Sequence, residues 1–419
     1  MTLTRIVSDG ERSFDFQSKP NASIFLGALQ FNRLTKAVFV IRKTALPDET
    51  RTRCAKSELT HQASGRSQAR LLTVGHVLLL FTMLVGPTSF AEDAAPQPAT
   101  KEDVTNAVQR GLSVLEKAAK NYPEHRDCFA CHHQTVPLAA MRFARQSQLK
   151  VDEPLFGDTV EFVRNYFAKR ADEMKQGRGI PGRAFMVGYG AWSFELADVD
   201  LPNDLREAMS QFVIHRQEAN GRWQPASIRP PSEQSEVMNT ALALRVLRPR
   251  KHSDRPFAAD AEWSVTAEAT EQRALDWLNA APLKWQEDFV ARLWCLSWFG
   301  DETNQRPELV RQIVARQHPD GGWAAEDDLR SDAYSTGLTM FALLDTGESP
   351  TSATIARSVA YLLKTQHADG SWLVETRAKP VQVFFDNGDP HGKNQFISIA
   401  ATGWSTTALA LSLPKHQAK

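Results

Sequence analysis

Three seven-residue segments align without gaps: QEANGRW from Gln217, QHPDGGW from Gln317 and QHADGSW from Gln366. They start 100 and 49 residues apart, two periods and one period of about 50. A repeat of that length marks stacked supersecondary units that bury their apolar faces against one another. Each copy follows an amphipathic stretch (DLREAMSQFVIHRQ, PELVRQIVARQ, ATIARSVAYLLKTQ) and precedes a more apolar one (SEVMNTALALRVL, DAYSTGLTMFALL, ISIAATGWSTTALAL). The glutamine falls on a last helical turn, where its amide can reach free carbonyls. Asn or Asp before Gly stops a helix, with the glycine free to take positive φ. The tryptophan then covers an apolar helix end. Each unit therefore reads as a helical hairpin stapled at its turn, with Trp223, Trp323 and Trp372 buried.

The pattern Q-x-x-[DN]-G-x-W at helix ends resembles the QW motif of squalene and oxidosqualene cyclases, with a looser form in protein prenyltransferase β subunits. The resemblance implies an all-α (α/α)6 toroid, two concentric rings of helices around a central cavity. It covers about 100–415 and is carried mainly from 204 onward. Periodicity agrees, with helices expected near 101–120, 135–148, 156–175, 184–197, 204–217, 234–248, 266–280, 286–299, 306–317, 332–346, 351–366 and 398–412. These make six pairs. The fourth hairpin, LDWLNAAPLKW, keeps Asn279 and Trp285 but has no glycine at the turn.

The chain before the repeats has another character. The apolar run Leu71–Val85, preceded by Arg66 and Arg70, is short and interrupted for a membrane span. Pro87 breaks it, and Ser89-Phe90-Ala91 places small residues where a signal peptidase cuts. Residues 1–70 read as a leader or mis-assigned start, 71–91 as a signal peptide and 92–419 as the toroid. Export to the periplasm or cell envelope of a bacterium is the expectation. The whole chain holds 49 basic and 49 acidic residues, of which 12 and 6 precede residue 92. The remainder, 37 against 43, carries about six net negative charges, with no basic stripe for nucleic acid or an anionic membrane surface.

Fold does not decide function, and the chemistry expected of the resembled classes is missing. The D-x-D-D acid cluster of protonating cyclases is absent. The nearest acidic group, Asp327, Asp328 and Asp332, reads either as a weak acid site or as a solvated turn with Asp332 at a helix N-terminus. A prenyltransferase zinc site would need Asp two residues before Cys295, where Leu293 stands, so Cys295 reads as a buried helix residue. Thioester, Walker and dinucleotide-binding patterns are also absent. Trp192, Phe194, Trp294, Trp298, Tyr334, Phe341, Phe384, Phe385 and Trp404 either wall a cavity for an apolar small molecule or fill the core. The long connection 373–398 holds Arg377, Asp386, Asp389, His391 and Lys393. It either caps one mouth of the toroid or decorates the surface.

One motif remains. DCFACHHQTVPL, 127–138, lies at the first hairpin's turn, where later repeats carry their staple. Cys128-x-x-Cys131-His132 is the attachment signature of c-type haem: two thiols add to the vinyl groups and the histidine ligates iron. Haem attached at Cys128 and Cys131, with His132 as iron ligand, is the expectation, with Met141 or Met186 available opposite. The alternatives are a redox dithiol or disulfide, a zinc site using Cys128, Cys131 and His132 or His133, and a coincidental turn. The C-H-H-Q-x-x-P continuation also resembles secreted bacterial toroids of the squalene-cyclase-like superfamily. Two functions follow. One is a haem-bearing exported toroid that serves a redox partner or binds an apolar ligand. The other is a haem-free binding or scaffold protein, or a lipid- or terpenoid-modifying enzyme with a non-standard acid site.

Overall fold

The computed structural model describes residues 99–247, 261–301, 304–380 and 383–414, with the side chains of 261–264 left aside. The leader and signal peptide expected over 1–91 lie outside the described residues.

The chain alternates between two kinds of helix. The outer set comprises α1 (Lys101–His125), α3 (Glu153–Ala168), α6 (Asn203–Arg216), α8 (Ala261–Ala280), α10 (Arg306–Ala315) and α12 (Ala353–Thr365). The inner set comprises α2 (Thr135–Gln146), α5 (Arg183–Leu196), α7 (Glu236–Leu247), α9 (Gln286–Phe299), α11 (Ala333–Asp345) and α13 (Gln395–Ser412). A single extra turn, α4 (Ala171–Met174), precedes α5 and packs on α6. The described residues contain no strand, only an isolated bridge between Trp323 and Asp332.

Sequence explains the division. Outer helices are amphipathic and bury one face: α12 buries Ile355, Val359 and Leu362 while Arg357 and Lys364 stay outside. Inner helices bury nearly every residue, as a helix apolar or small all round must. In α7 all twelve residues from Glu236 to Leu247 but the first are buried. Starts are capped as their sequences allow. Thr100 and Asp103 exchange bonds before α1, and Asp152, Asp332 and Ser352 accept from the third residue onward at α3, α11 and α12.

The inner helices close a ring in the order α2, α5, α7, α9, α11, α13 and back to α2, with each outer helix packed behind its neighbours. This is the (α/α)6 toroid. Close approach within the ring depends on small residues, and a Cβ at Gly337 of α11 would sit 2.5 Å from the Ser405 backbone nitrogen of α13. The hole is filled rather than open. Trp192, Trp294, Phe341 and Trp404 pack ring to ring with centroids 5.3–6.5 Å apart, and Phe143 meets Phe341 at 5.3 Å. Of the aromatic residues expected as cavity walls, most are therefore core. No described helix is long and apolar enough to cross a membrane.

The three staples are built alike. Trp223, Trp323 and Trp372 are fully buried, and their indole N–H groups donate to the carbonyls of Val213, Ile313 and Leu362 at 2.8–2.9 Å. Gln217, Gln317 and Gln366 donate to the carbonyl of their own motif glycine and to a carbonyl of the next outer helix, Thr270, Thr354 and Ala107 respectively. An arginine of that helix (Arg273, Arg357 or Arg110) returns a bond to the glutamine oxygen. Each staple thus reaches beyond its own hairpin, and Gln366 joins α12 to α1 and closes the outer ring. The glycines take φ of 97°, 90° and 93° and abut the carbonyl oxygens of the same three arginines. Trp285, in the hairpin without the glycine, is only half-buried at the start of α9.

Candidate functional site

The turn joining α1 to α2 carries the two cysteines and two histidines. Its backbone folds on Ala130, whose carbonyl accepts from His133 and Gln134 at 3.0 Å each, while the Gln134 side chain accepts from the Ala130 nitrogen at 2.7 Å. Phe129 is buried against Tyr166 and Phe167. This anchor sends the flanking side chains in different directions. Cys128 meets the Tyr122 hydroxyl at 3.3 Å, whereas Cys131 and His132 face a cavity, with Cys131 Sγ 3.9 Å from His132 Nδ1. The cysteines are free thiols.

His133 takes a role the sequence did not suggest. It is fully buried and stacked on Tyr122 at 4.5 Å, and its Nε2 lies 2.7 Å from Asp389 Oδ2. Asn387 donates to Asp389 and to the Ala118 carbonyl, and accepts at its own carbonyl from Asn121. The long connection 373–398 is therefore clamped over this end of the toroid. Of its other polar residues, Asp386 accepts from the Gly388 nitrogen within the loop, while His391 meets Ser371 at 2.8 Å and Arg377 pairs with Glu326 outside it. Burial lowers the pKa of His133, partly offset by Asp389. His132 is held well below its usual range by burial, then by His133 and Arg229. Burial, reinforced by Glu233, also pushes the Cys131 thiol up, so it is a protonated thiol rather than a thiolate.

The cavity holds about 130 Å³ and opens where the inner helices begin. Val136, Phe185, Phe396, Ile397, Ala400 and Trp404 form its apolar side. Cys131, His132, Tyr189, Tyr334, Arg229 and Glu233 form its polar side. Arg229 and Glu233 pair at 3.5 Å on the connection from α6 to α7. Behind Tyr334 lies Glu287, the second residue of α9, which accepts from the Tyr334 hydroxyl at 2.8 Å. Burial raises its pKa well above the usual carboxylate range, opposed by that hydrogen bond and reinforced by Asp288 and Glu233. Sequence reasoning missed Tyr189, Arg229, Glu233 and Glu287. Glu287 reads locally as an ordinary first-turn acid, and no local signal marks the others.

The expected haem residues are only partly brought together. Cys131 and His132 share the cavity, but Cys128 is not among its lining residues. The volume is below the roughly 300–1,000 Å³ of pockets for drug-sized ligands. Met141 is buried in α2, and neither it nor Met186 lines the cavity. As these side chains stand, a haem does not fit. Among the described residues no three of His, Cys, Asp and Glu are grouped to hold a metal ion. The acidic group at 327–332 is committed elsewhere. Asp332 caps α11 through the Ser335 nitrogen at 2.7 Å, and Asp327 pairs with Arg316 at 2.6 Å. Cys295 is buried in α9, its thiol pushed up to about 12 by burial.

No family model matches the chain, and no curated protein matches it. Solved structures do match. The type II terpene cyclase MstE from Scytonema is 13% identical, covers 76% of this chain and 100% of its own, and gives a TM-score of 0.47. A protein from Actinoplanes is 14% identical over 74% and 99% of the two chains, with a TM-score of 0.45. A glycosidase variant is 11% identical over 74% and 97%, with a TM-score of 0.49. One further MstE structure is a complex with its substrate, geranylgeranyl dihydroxybenzoate.

Proposed function

We propose that this chain is a terpenoid-cyclase-like toroid that binds an apolar small molecule at its mouth, in a binding role without cyclase chemistry. One observation carries the reading: the cavity at the mouth of the ring has an apolar side from α2, α5 and α13 and a polar side able to orient a head group. Ligand sites are built in that way. Burial of apolar surface there would give a negative heat-capacity change on binding. No covalent haem is part of the proposal, because Cys128 turns to Tyr122 and the space is small.

Calorimetric titration with 1-octanol tests the reading. Saturable binding is expected from the wild type and not from Ala400→Phe, which fills the cavity from α13. Ala378→Phe does the same from the loop should the first variant fold poorly. Unchanged binding in both variants overturns the assignment. Co-expression with c-type maturation machinery checks the haem directly, and a Soret band that survives denaturation would restore it. Export is proposed on the apolar run 71–85 and the Ser89-Phe90-Ala91 site. N-terminal sequencing of envelope protein should then begin at Glu92, and a product beginning at Met1 removes it.

A further inference from the structure

We propose that the mouth cavity selects a neutral alcohol, whose hydroxyl donates to the Tyr334 oxygen and accepts from Tyr189. This rests on the apolar-ligand reading and adds the chemistry of the head group. Tyr334 stands between two spaces. It lines the cavity, and on its other side it lines a void of about 10 Å³ shared with Glu287, Gln234 and Gln286. Its one hydroxyl proton is committed to Glu287 Oε1 at 2.8 Å. Glu287 Oε2 and Gln234 Nε2 are buried without partners at the same void, whose size suits one bridging water. Towards the cavity Tyr334 can therefore only accept.

Tyr189 supplies the complement. It is buried on α5 beside Cys131, Glu287 and Glu233, and burial followed by these neighbours keeps its hydroxyl protonated. Tyr334, Tyr189 and Cys131 line the same cavity. A charged head group would have to compete with charges already balanced at the mouth. The Arg229 charge is offset by Glu233 at 3.5 Å, which Ser227 also holds at 2.6 Å, although Arg229 Nε is buried without a hydrogen-bond partner, and burial keeps His132 neutral. An unpaired charge in such a site is strongly disfavoured. About 130 Å³ takes a head group and its first carbons, room for about ten waters where the void at Glu287 has room for one. A longer tail leaves past the exposed side chains of Ile228 and Phe384, which adjoin the lining residues in sequence or by ring contact.

The full chain is titrated with 1-octanol, its methyl ether and octanoate. An alcohol both donates and accepts, an ether only accepts, and a carboxylate brings charge. Octanol should bind about tenfold more tightly than the ether, the usual effect of one unpaired buried polar group. Glu287→Leu releases the Tyr334 proton towards the cavity and should reduce that gap to less than about threefold. Tyr334→Phe removes the acceptor and should close the gap as well, in case the first variant fails to fold. Equal binding of octanol and ether by the wild type, tightest binding of octanoate, or a gap that persists in both variants overturns the proposal and leaves the apolar-ligand reading standing. Failure of all three probes to bind overturns both.

Discussion

The three stapled turns and the first hairpin's turn occupy corresponding places, each leading from an outer helix to an inner one, yet they are held by different means. A staple is one repeated motif: glutamine, glycine and tryptophan act within seven residues and borrow one carbonyl and one arginine from the next outer helix, which for Gln366 is α1, 256–259 residues away in the chain. The Cys-His turn carries no such motif and is held by a loop instead. Its buried His133 is partnered by Asp389 of the connection 373–398. Repetition buys uniform construction at the staples, whereas the first turn and the loop clamped over it are free to shape a mouth. The cavity lies at that mouth, which is where sequence irregularity and a candidate site coincide.

The comparison can be broken most sharply at the tryptophans. Trp323→Ala should destabilise by about 3–5 kcal/mol in chemical denaturation, as full burial and a lost indole bond dictate. Trp285→Ala, at the hairpin without a staple, should lose less than half as much. Equal losses would show that position in the repeat, not the staple, sets stability. Next in size is Gly370→Ala. Positive φ of 93° and a Cβ 2.5 Å from the Arg110 carbonyl oxygen should together cost about 2–3 kcal/mol. A thermal melt unchanged from wild type would contradict ring closure through this contact.

At the other turn the expected loss is local. His133→Ala leaves the buried Asp389 with the Asn387 amide as its remaining side-chain partner, a cost of about 1–3 kcal/mol. Hydrogen exchange should show faster opening at Asn387 and Gly388, with the amides of α12 unaffected. If exchange is raised uniformly instead, the clamp is no more local than a staple.

The smallest effect is in pH dependence. His132 and His133 have folded pKa values below the ordinary 6.5, so the unfolded chain binds the protons that the folded chain refuses. Their contribution is present above about pH 6.5 and is lost as pH falls through it. Glu287 works in the opposite direction. Its folded pKa lies above the ordinary 4.5, so its contribution is lost as pH rises from about 4.5 towards that value. Glu287→Gln should remove the second slope and leave the first, by about 1 kcal/mol across urea melts between about pH 5 and 8. A variant curve parallel to wild type would mean that Glu287 is not held neutral.

Much of the architecture was legible before the structure. The 50-residue repeat, the commensurate helices and the buried tryptophans follow from spacing alone, because a staple and an amphipathic face are local patterns. Helix ends were less exact. Expected boundaries of 120 and 398 became 125 and 395, since Pro123 is accommodated inside α1 and a turn of 3₁₀ helix runs into α13. Asp332 as a cap and Cys295 as a core residue were also readable, each from its own helix. The candidate site was not. Cys131 and His132 were singled out for haem chemistry, but nothing near Cys128 in sequence says that it turns to Tyr122.

What this sequence determined by itself is therefore a ring: paired helices of two characters, joined by turns whose glutamine, glycine and tryptophan recur with the repeat. Those features depend on contacts within a hairpin or with the adjoining one, and periodicity reports such contacts directly. Only the tertiary structure decided what the ring encloses. Aromatic residues that could have walled an open channel pack against one another, and a cavity of about 130 Å³ lies where α2, α5, α11 and α13 begin. Its polar side draws Cys131, Tyr189, Glu233 and Tyr334 from four separate parts of the chain. Closing a ring brings together residues that are hundreds of positions apart, and neither their side-chain directions nor the protonation imposed by shared burial is written in any local pattern.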